Sequence, residues 1–209
     1  MSMIAKNSGT GNIEKLESGV YTATSCAIVD LGLQKNEKFE KTQRKFMMIW
    51  EIVGEYVEVN GEQLSRTMSK EYSFSLHEKS SLRGDLQAWR GRAFTEEELQ
   101  GFNLLNILNK SCQLQIIKEE KNGKTYNNIV SIMGLPKGTE ITGLDDTYYF
   151  DIETTESWKN WQRIPAWIQE KIKKAENYSS SGLEEYLSDY GDIKDNQDYE
   201  IGAQDDLPF

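Results

Sequence analysis

The sequence predicts a β-rich α+β fold in which five strands form a barrel and a helix interrupts them after the third strand. Five segments are rich in β-branched and aromatic residues, and several of them end at tight-turn signals. One segment with helical periodicity stands between the third and the fourth of these segments. The excess of acidic residues in the 209-residue chain lies near its C-terminus. This charge distribution separates a foldable body from an acidic tail.

The first three strands precede the helix. Residues 19–31 alternate between apolar and polar types, and residues 44–53 form a second strand-like run. A third strand is expected over residues 63–75. Asn60-Gly61 favours a tight hairpin turn between the second and third strands.

The first helix is expected only after the third strand. Residues 32–43 show no apolar periodicity and are expected to form a loop, which disfavours a ferredoxin-like order with a helix after the first strand. Leu82, Leu86 and Trp89 follow the i, i+4, i+7 spacing of one helical face. Thr95 begins a capping-box pattern that predicts a second, short helix.

Two further strands complete the predicted body. They cover residues 112–118 and 126–133, and Asn122-Gly123 marks a hairpin turn between them. Three strands, a helix and two strands is the connectivity of the five-stranded oligonucleotide/oligosaccharide-binding barrel, the OB-fold, whose second and third strands commonly hold single-stranded nucleic acid. Sugar binding is another use of this barrel.

Charge divides the chain into functional units. Residues 1–140 carry 18 acidic and 18 basic side chains, whereas residues 141–209 carry 16 acidic against 6 basic side chains and hold the whole net charge of −10. The acidic, serine-containing end has the composition of a segment that cannot bury enough apolar surface to fold. The predicted division is an N-terminal arm at 1–17, an OB-fold domain at 18–140, a linker and C-terminal helix at 141–175, and a disordered acidic tail at 176–209.

The tail ends in a segment suited to recognition by another protein. Asp205 and Asp206 precede Leu207, Pro208 and Phe209. The proline fixes its own φ and favours extended geometry at Leu207, so the aspartates, the phenyl ring and the final carboxylate are expected to project as one compact ligand. A pocket with an apolar floor and a basic rim would bind such a peptide.

Parts of the body and the tail resemble known single-stranded DNA-binding proteins. Residues 19–23 (GVYTA), the strand ending at Ile49-Trp50-Glu51 and residues 69–116 resemble those encoded by bacteriophages of Gram-positive hosts, and the similarity covers most of residues 19–138. The final Asp-Asp-Leu-Pro-Phe is independently similar to the C-terminal peptide of bacterial single-stranded DNA-binding proteins, with Leu in place of the commoner Ile and one Asp fewer.

This resemblance implies a function and its partners. It implies sequence-independent coating of single-stranded DNA during phage replication or recombination. Host or phage replication and recombination proteins would bind the tail, and the location would be the cytoplasm of an infected bacterial cell. Self-association is left open.

The candidate DNA-binding residues lie in and after the segment between the first two strands. Lysine and arginine side chains there would contact phosphates, and exposed rings on the second and third strands would stack on bases. Each ring also has a competing role, because a barrel interior needs large apolar side chains. Near the helix end, Trp89 is expected to close the barrel bottom, and Arg90 and Arg92 to complement the helix C-terminus. The candidates are Lys35, Lys41, Arg44, Lys45, Trp50, Lys70, Tyr72 and Phe74.

Catalysis, metal binding and membrane insertion have little support in the sequence. Cys26 and Cys112 lie in apolar runs and are expected to be buried, and with His77 as the single histidine they supply neither a zinc-ligand set nor a disulfide framework. The sequence contains no phosphate-binding glycine loop, no nucleophile elbow, no signal peptide and no run long enough to span a bilayer. We therefore expect no enzyme, metal or cofactor.

Two alternatives stay open at this point. A protein-interaction module that mimics the tip of the host single-stranded DNA-binding protein would need the tail but no DNA-binding groove. A nuclease would need clustered carboxylates, whereas those of the body are scattered. Residues 158–174, which contain three tryptophans and five basic residues, could pack on the barrel, mediate self-association or contact DNA.

Overall fold

The computed structural model describes residues 14–36, 40–59 and 61–190. The strands are β1 (Gly19–Asn36), β2 (Lys41–Val59), β3 (Glu62–Ser73), β4 (Ser111–Lys121), β5 (Lys124–Met133) and β6 (Tyr148–Phe150). The α-helices are α1 (Ser81–Arg90), α2 (Glu96–Gln100), α3 (Ala166–Lys173) and α4 (Leu183–Tyr190), and 3-10 helices cover Leu104–Ile107 and Thr155–Arg163.

The sheet order is β3-β2-β1-β4-β5, with antiparallel pairing between neighbours. This confirms the predicted sequence of three strands, a helix and two strands in a β-rich α+β fold. No hydrogen-bonded ladder joins β3 to β5 in the described part of the chain, so the sheet is not closed. Helix α1 packs against both of these strands and lies where the sheet is open.

One hydrophobic core fills the concave side of the sheet. Alternation along β2 directs Phe46, Met48, Trp50 and Ile52 into it, as the period of two predicts. Helix α1 adds its predicted apolar face, in which Leu82, Leu86 and Trp89 are buried. The helix is capped by Ser80, whose hydroxyl accepts the Arg83 backbone N–H.

A second hydrophobic core lies on the outer side of β1 and β2. Met47 and Ile49 alternate with the inward-facing residues of β2 and are 4% and 5% exposed, so β2 is buried on both faces. The cover is the C-terminal segment, residues 148–190. Residues 158–174 therefore pack against the outer side of β1 and β2. The segment's main buried side chains are Phe150, Ile152, Trp158, Trp161, Ile164, Ile168, Ile172 and Leu183.

The loop predicted over residues 32–43 is wrong for most of its length. Residues 32–36 and 41–44 continue β1 and β2 as a paired antiparallel arm, in which Leu33 lies opposite Arg44 and Lys35 opposite Thr42. A bulge between Asp30 and Gly32 interrupts the regular alternation. The polar composition of the arm hid the strand because much of its surface faces solvent.

The start of the predicted disordered tail at residue 176 is also wrong. The Glu176 N–H donates to the Leu33 carbonyl at 2.9 Å, and Asn177 Oδ1 accepts the Leu33 N–H at 2.8 Å. Helix α4 follows, with Leu183 fully buried. Beyond Thr24, β1 no longer pairs with β4. The edge of β1 therefore has backbone groups that need other partners, and Glu176 and Asn177 provide them at Leu33. The rest of the predicted tail, including Asp205–Phe209, lies outside the described residues, as do residues 1–13 of the predicted arm.

Among the described residues, no helix is both long enough and apolar enough to cross a bilayer.

Gly32 of β1 lies against the C-terminal segment with no room for a side chain, and we expect Gly32→Ala to destabilise the fold. Its φ is +72°, and a Cβ there would lie 2.6 Å from Asn177 Oδ1 and 2.7 Å from the Ala175 Cβ. Left-handed backbone geometry costs an alanine about 1–2 kcal/mol, and overpacking adds about 1–3 kcal/mol. Urea unfolding measures the sum.

The matched control is Gly54→Ala. Gly54 has a similar φ of +79°, but no described atom lies within 4 Å of a Cβ built there. The Gly54→Ala variant should therefore lose only the unfolding free energy that left-handed backbone geometry costs an alanine. Equal losses of unfolding free energy in the two variants would contradict the close docking of the C-terminal segment on Gly32.

Candidate nucleic-acid interface

Two of the three rings predicted to stack on bases are buried in the core on the concave side of the sheet. Trp50 is 0% exposed and Tyr72 is 3% exposed, so neither ring offers a face to a nucleotide, and their prediction as stacking residues is wrong. Both point inward because they share the concave face of β2 and β3, with Trp50 opposite Met68 and Tyr72 opposite Phe46. Phe74 is 45% exposed and is the one predicted ring that solvent reaches.

Lys70 belongs to a polar contact between β3 and α1 rather than to a DNA surface. Its Nζ lies 2.8 Å from Asp85 Oδ2, which also accepts the Tyr72 hydroxyl at 2.7 Å. Burial, with the adjacent Asp85 carboxylate, raises the pKa of Tyr72, so the phenol stays a neutral donor. The predicted phosphate contact of Lys70 is therefore corrected to a structural role: its ammonium group holds α1 against β3.

Arg44 is surrounded by carboxylates. Its guanidinium lies 2.7 Å from Asp30, 2.9 Å from Asp151 and 3.2 Å from Glu153. The hydrogen bonds that Arg44 donates to Asp30 are the main cause that raises the pKa of Arg44. This cluster joins β1 and β2 to the C-terminal segment, and one cation among three anions is a poor surface for a phosphate. The predicted DNA-binding role of Arg44 is therefore replaced by a structural one.

The remaining predicted cations lie on the arm that β1 and β2 form. Lys41 and Lys45 are an odd number of residues from Arg44 along β2, so their side chains lie on the opposite face of the strand from Arg44, which is the outer face. Lys35 pairs with Thr42 and lies on the opposite face, with Arg44. Lys35 and Lys41 are exposed. The structure thus splits the predicted basic cluster between the two faces of the arm.

The outer face beside β3 carries several lysines around one carboxylate. Glu71 on β3 pairs with Lys45 at 2.7 Å and also with Lys171 of α3. Burial opposes ionisation of Glu71, but Lys171 and Lys45 outweigh it and lower its pKa below the usual value, so its charge persists. Lys174 follows at the end of α3 and is exposed. We call Lys41, Lys45, Lys171 and Lys174 the lysine strip.

The strip borders a strand surface of small polar side chains. Ser73, Ser69 and Thr67 of β3 lie opposite Lys45, Ile49 and Glu51 of β2, on the same outer face as Glu71. Their hydroxyl groups, together with the lysine ammonium groups, are donors of the kind that proteins direct at phosphate oxygens. Small side chains also leave the strand accessible to a bulky ligand.

Trp167 is a ring at this surface that was not among the predicted DNA-binding residues. It lies four residues before Lys171 and seven before Lys174, so the three share one side of α3. The ring is partly buried against the second core, and its indole N–H has no hydrogen-bond partner among the described residues. The spacing of Trp167, Lys171 and Lys174 next to the buried pair Ile168 and Ile172 was the available sequence signal.

The cysteines are consistent with the expected core role. Cys112 is fully buried and Cys26 is partly buried. Burial raises the pKa of each thiol to about 12, so both stay protonated and are poor nucleophiles. Across the described ranges, no group of three His, Cys, Asp or Glu side chains could hold a metal ion.

The chain matches no protein-family model, and no curated protein matches it.

Proposed function

We propose that this protein binds single-stranded DNA without sequence preference and acts in phage DNA replication or recombination. The observation that carries the proposal is the lysine strip on the outer face of β2 and α3, beside the accessible polar surface of β3. The chain would act in the cytoplasm of an infected bacterial cell.

The fold supports this proposal through its strand order. We assign the sheet to a partly open OB-fold barrel, in which α1 covers the gap between β3 and β5. Such barrels commonly bind single strands across their second and third strands. Here the C-terminal segment covers the outer side of β1 and part of β2, which leaves β3 and the border with α3 as the open part of that surface.

The charges of the strip suit a polyanion. Four lysines lie near Glu71, which pairs with two of them, and Glu51 on the same face and Glu176 beside Thr42 offset only part of this positive charge. Phosphate contacts of this kind are independent of sequence and release counterions. A base stacked on the accessible part of the Trp167 ring would add about 1–3 kcal/mol.

The second part of the proposed function is recruitment of replication or recombination proteins through Asp205–Phe209. These residues lie outside the described part of the chain, and the support is their composition and resemblance. Because Ala175 and Leu183 are buried in the fold, a tail deletion that tests recruitment should begin at residue 191.

Reversing the charge of two strip lysines should weaken binding to single-stranded DNA. In the double variant Lys41→Glu, Lys174→Glu both changed side chains are exposed, so folding should be preserved. Each lost phosphate contact should cost on the order of tenfold in affinity at about 50 mM salt and lower the slope of log K against log salt by about 0.7. Fluorescence anisotropy with labelled oligo-dT and with a duplex of equal length, across a salt series, measures both.

The matched control is a pair of exposed lysines on the β4–β5 hairpin and beyond β5, in the variant Lys121→Glu, Lys137→Glu, which has the same net charge. It should lose much less affinity. Equal losses in the two double variants would place the DNA elsewhere. Absence of oligo-dT binding by the unaltered chain at low salt would refute the proposal and favour the protein-interaction module.

Glu71→Gln should have the opposite effect on DNA affinity. The substitution removes the carboxylate that offsets Lys45 and Lys171. One charge about 7 Å from a phosphate is worth about 0.6 kcal/mol in water, so we expect about threefold tighter binding at low salt and a smaller gain at high salt. Anisotropy measures the affinity, and Glu120→Gln on the exposed end of β4 is the control.

Although Glu71→Gln should tighten DNA binding, it should lower the stability of the fold. Because the pKa of Glu71 is lowered in the folded chain, its ionised form stabilises the fold above the carboxyl's ordinary pKa, and this contribution is lost as the pH falls. Glu71→Gln should therefore lower the unfolding free energy near neutral pH and have less effect in acid. Weaker DNA binding by a well-folded Glu71→Gln variant would argue against the strip.

A further inference from the structure

A second basic site lies at the far end of α1, apart from the lysine strip. It is a shallow cleft of about 410 Å³, a size within the range of small-ligand sites. Its floor includes Trp89, Phe102 and Ile107, and Arg90, Arg92 and Lys110 bring positive charge to it. The function proposed above does not use any of these residues.

Arg90 is held rigidly in this cleft. Its guanidinium carbon lies 4.5 Å from the centroid of the Phe94 ring and 5.0 Å from that of Phe102, and Glu98 pairs with it. Nη1 is buried and has no hydrogen-bond partner in the described part of the chain. A guanidinium that packing has already ordered loses little further entropy when it binds a ligand.

The cations of the cleft exceed its anions. Glu98 also pairs with Arg92 at 2.7 Å and 2.9 Å, so two guanidiniums share one carboxylate. Lys110 is exposed and has no ion pair among the described residues. Three cations against one anion leave two positive charges in the lining. Arg92, the Thr95 backbone N–H and Arg90 lower the pKa of Glu98 to about 2, so this excess is constant at neutral pH.

The cleft combines this charge with a ring surface and amide groups. Phe102 is partly exposed, and the exposed Asn106 offers a donor and an acceptor at the rim. Each phosphodiester of a strand brings one negative charge to this excess, and guanidinium binds phosphate oxygens in a bidentate manner. A planar base beside that phosphate would lie on the Phe102 ring.

We propose that this cleft binds one nucleotide, with its phosphate between Arg90, Arg92 and Lys110 and its base against Phe102. The inference rests on the proposed function for the source of the nucleotide, which is a single strand that also occupies the lysine strip. The protein would then hold one strand at two separate places.

The test is a titration of the full chain, followed by NMR, with thymidine 5′-monophosphate, thymidine, inorganic phosphate and the peptide Asp-Asp-Leu-Pro-Phe. The Trp89 indole N–H, which donates to the Ser111 carbonyl at 2.9 Å, reports on the cleft. We expect the nucleotide to shift the Trp89 and Arg92 side-chain signals and to bind at least about tenfold more tightly than thymidine or phosphate alone. The double variant Arg92→Gln, Lys110→Gln should reduce this affinity about tenfold or more.

The control variant is Lys79→Gln, an exposed lysine before α1 that does not line the cleft, and it should leave nucleotide binding unchanged. No shift at millimolar nucleotide, or equal binding of phosphate and nucleotide, would overturn the inference. Preferential binding of the peptide would reassign the cleft to an acidic protein segment.

Oligo-dT binding measured in parallel separates this inference from the proposed function. A chain that binds oligo-dT through the strip but ignores the mononucleotide refutes the cleft alone. A chain that binds the mononucleotide but not oligo-dT refutes the proposed function. The nucleotide in the cleft would then not come from a bound single strand.

Discussion

The burial of β1 and β2 on both faces is the constraint on which the rest of the structure depends. Without the C-terminal segment, Met47 and Ile49 would face water on the outer side of the sheet. Fully burying side chains of this size is worth about 1.5–3 kcal/mol each. The same segment supplies β6 and the groups that hydrogen-bond the Leu33 backbone, namely the Glu176 N–H and the Asn177 side-chain oxygen. An exposed strand edge and an apolar face are therefore covered together.

The C-terminal segment also determines which part of the sheet a ligand can reach. It covers the part of the sheet nearest β1 and leaves the outer side of β3 open. It also brings α3 to the border of that surface, where Lys171 pairs with Glu71. Trp167 and Lys174 lie on the same side of α3. The proposed interface is therefore formed jointly by the sheet and by residues about 100 positions further along the chain, and it requires the C-terminal segment to be docked.

Local signals in the sequence predicted most of the fold. Asn-Gly turns and strand periodicity predicted the strand order, and the spacing of Leu82 and Trp89 predicted α1. The consecutive apolar run 46–50 is typical of a strand buried on both faces, which the alternation of this strand does not reveal by itself. The site was harder to predict, because Asp151 and Glu153 are more than 100 residues from Arg44. A charge cluster read along the chain gives no information about such distant partners.

Amine-reactive footprinting of the full chain, with and without oligo-dT, would show whether single-stranded DNA lies along the lysine strip. Mass spectrometry would read the modification of each lysine. We expect DNA to protect Lys41, Lys45, Lys171 and Lys174, whereas Lys121 on the β4–β5 hairpin should keep its reactivity. Bound oligo-dT that leaves the four strip lysines as reactive as in the free protein would contradict the account.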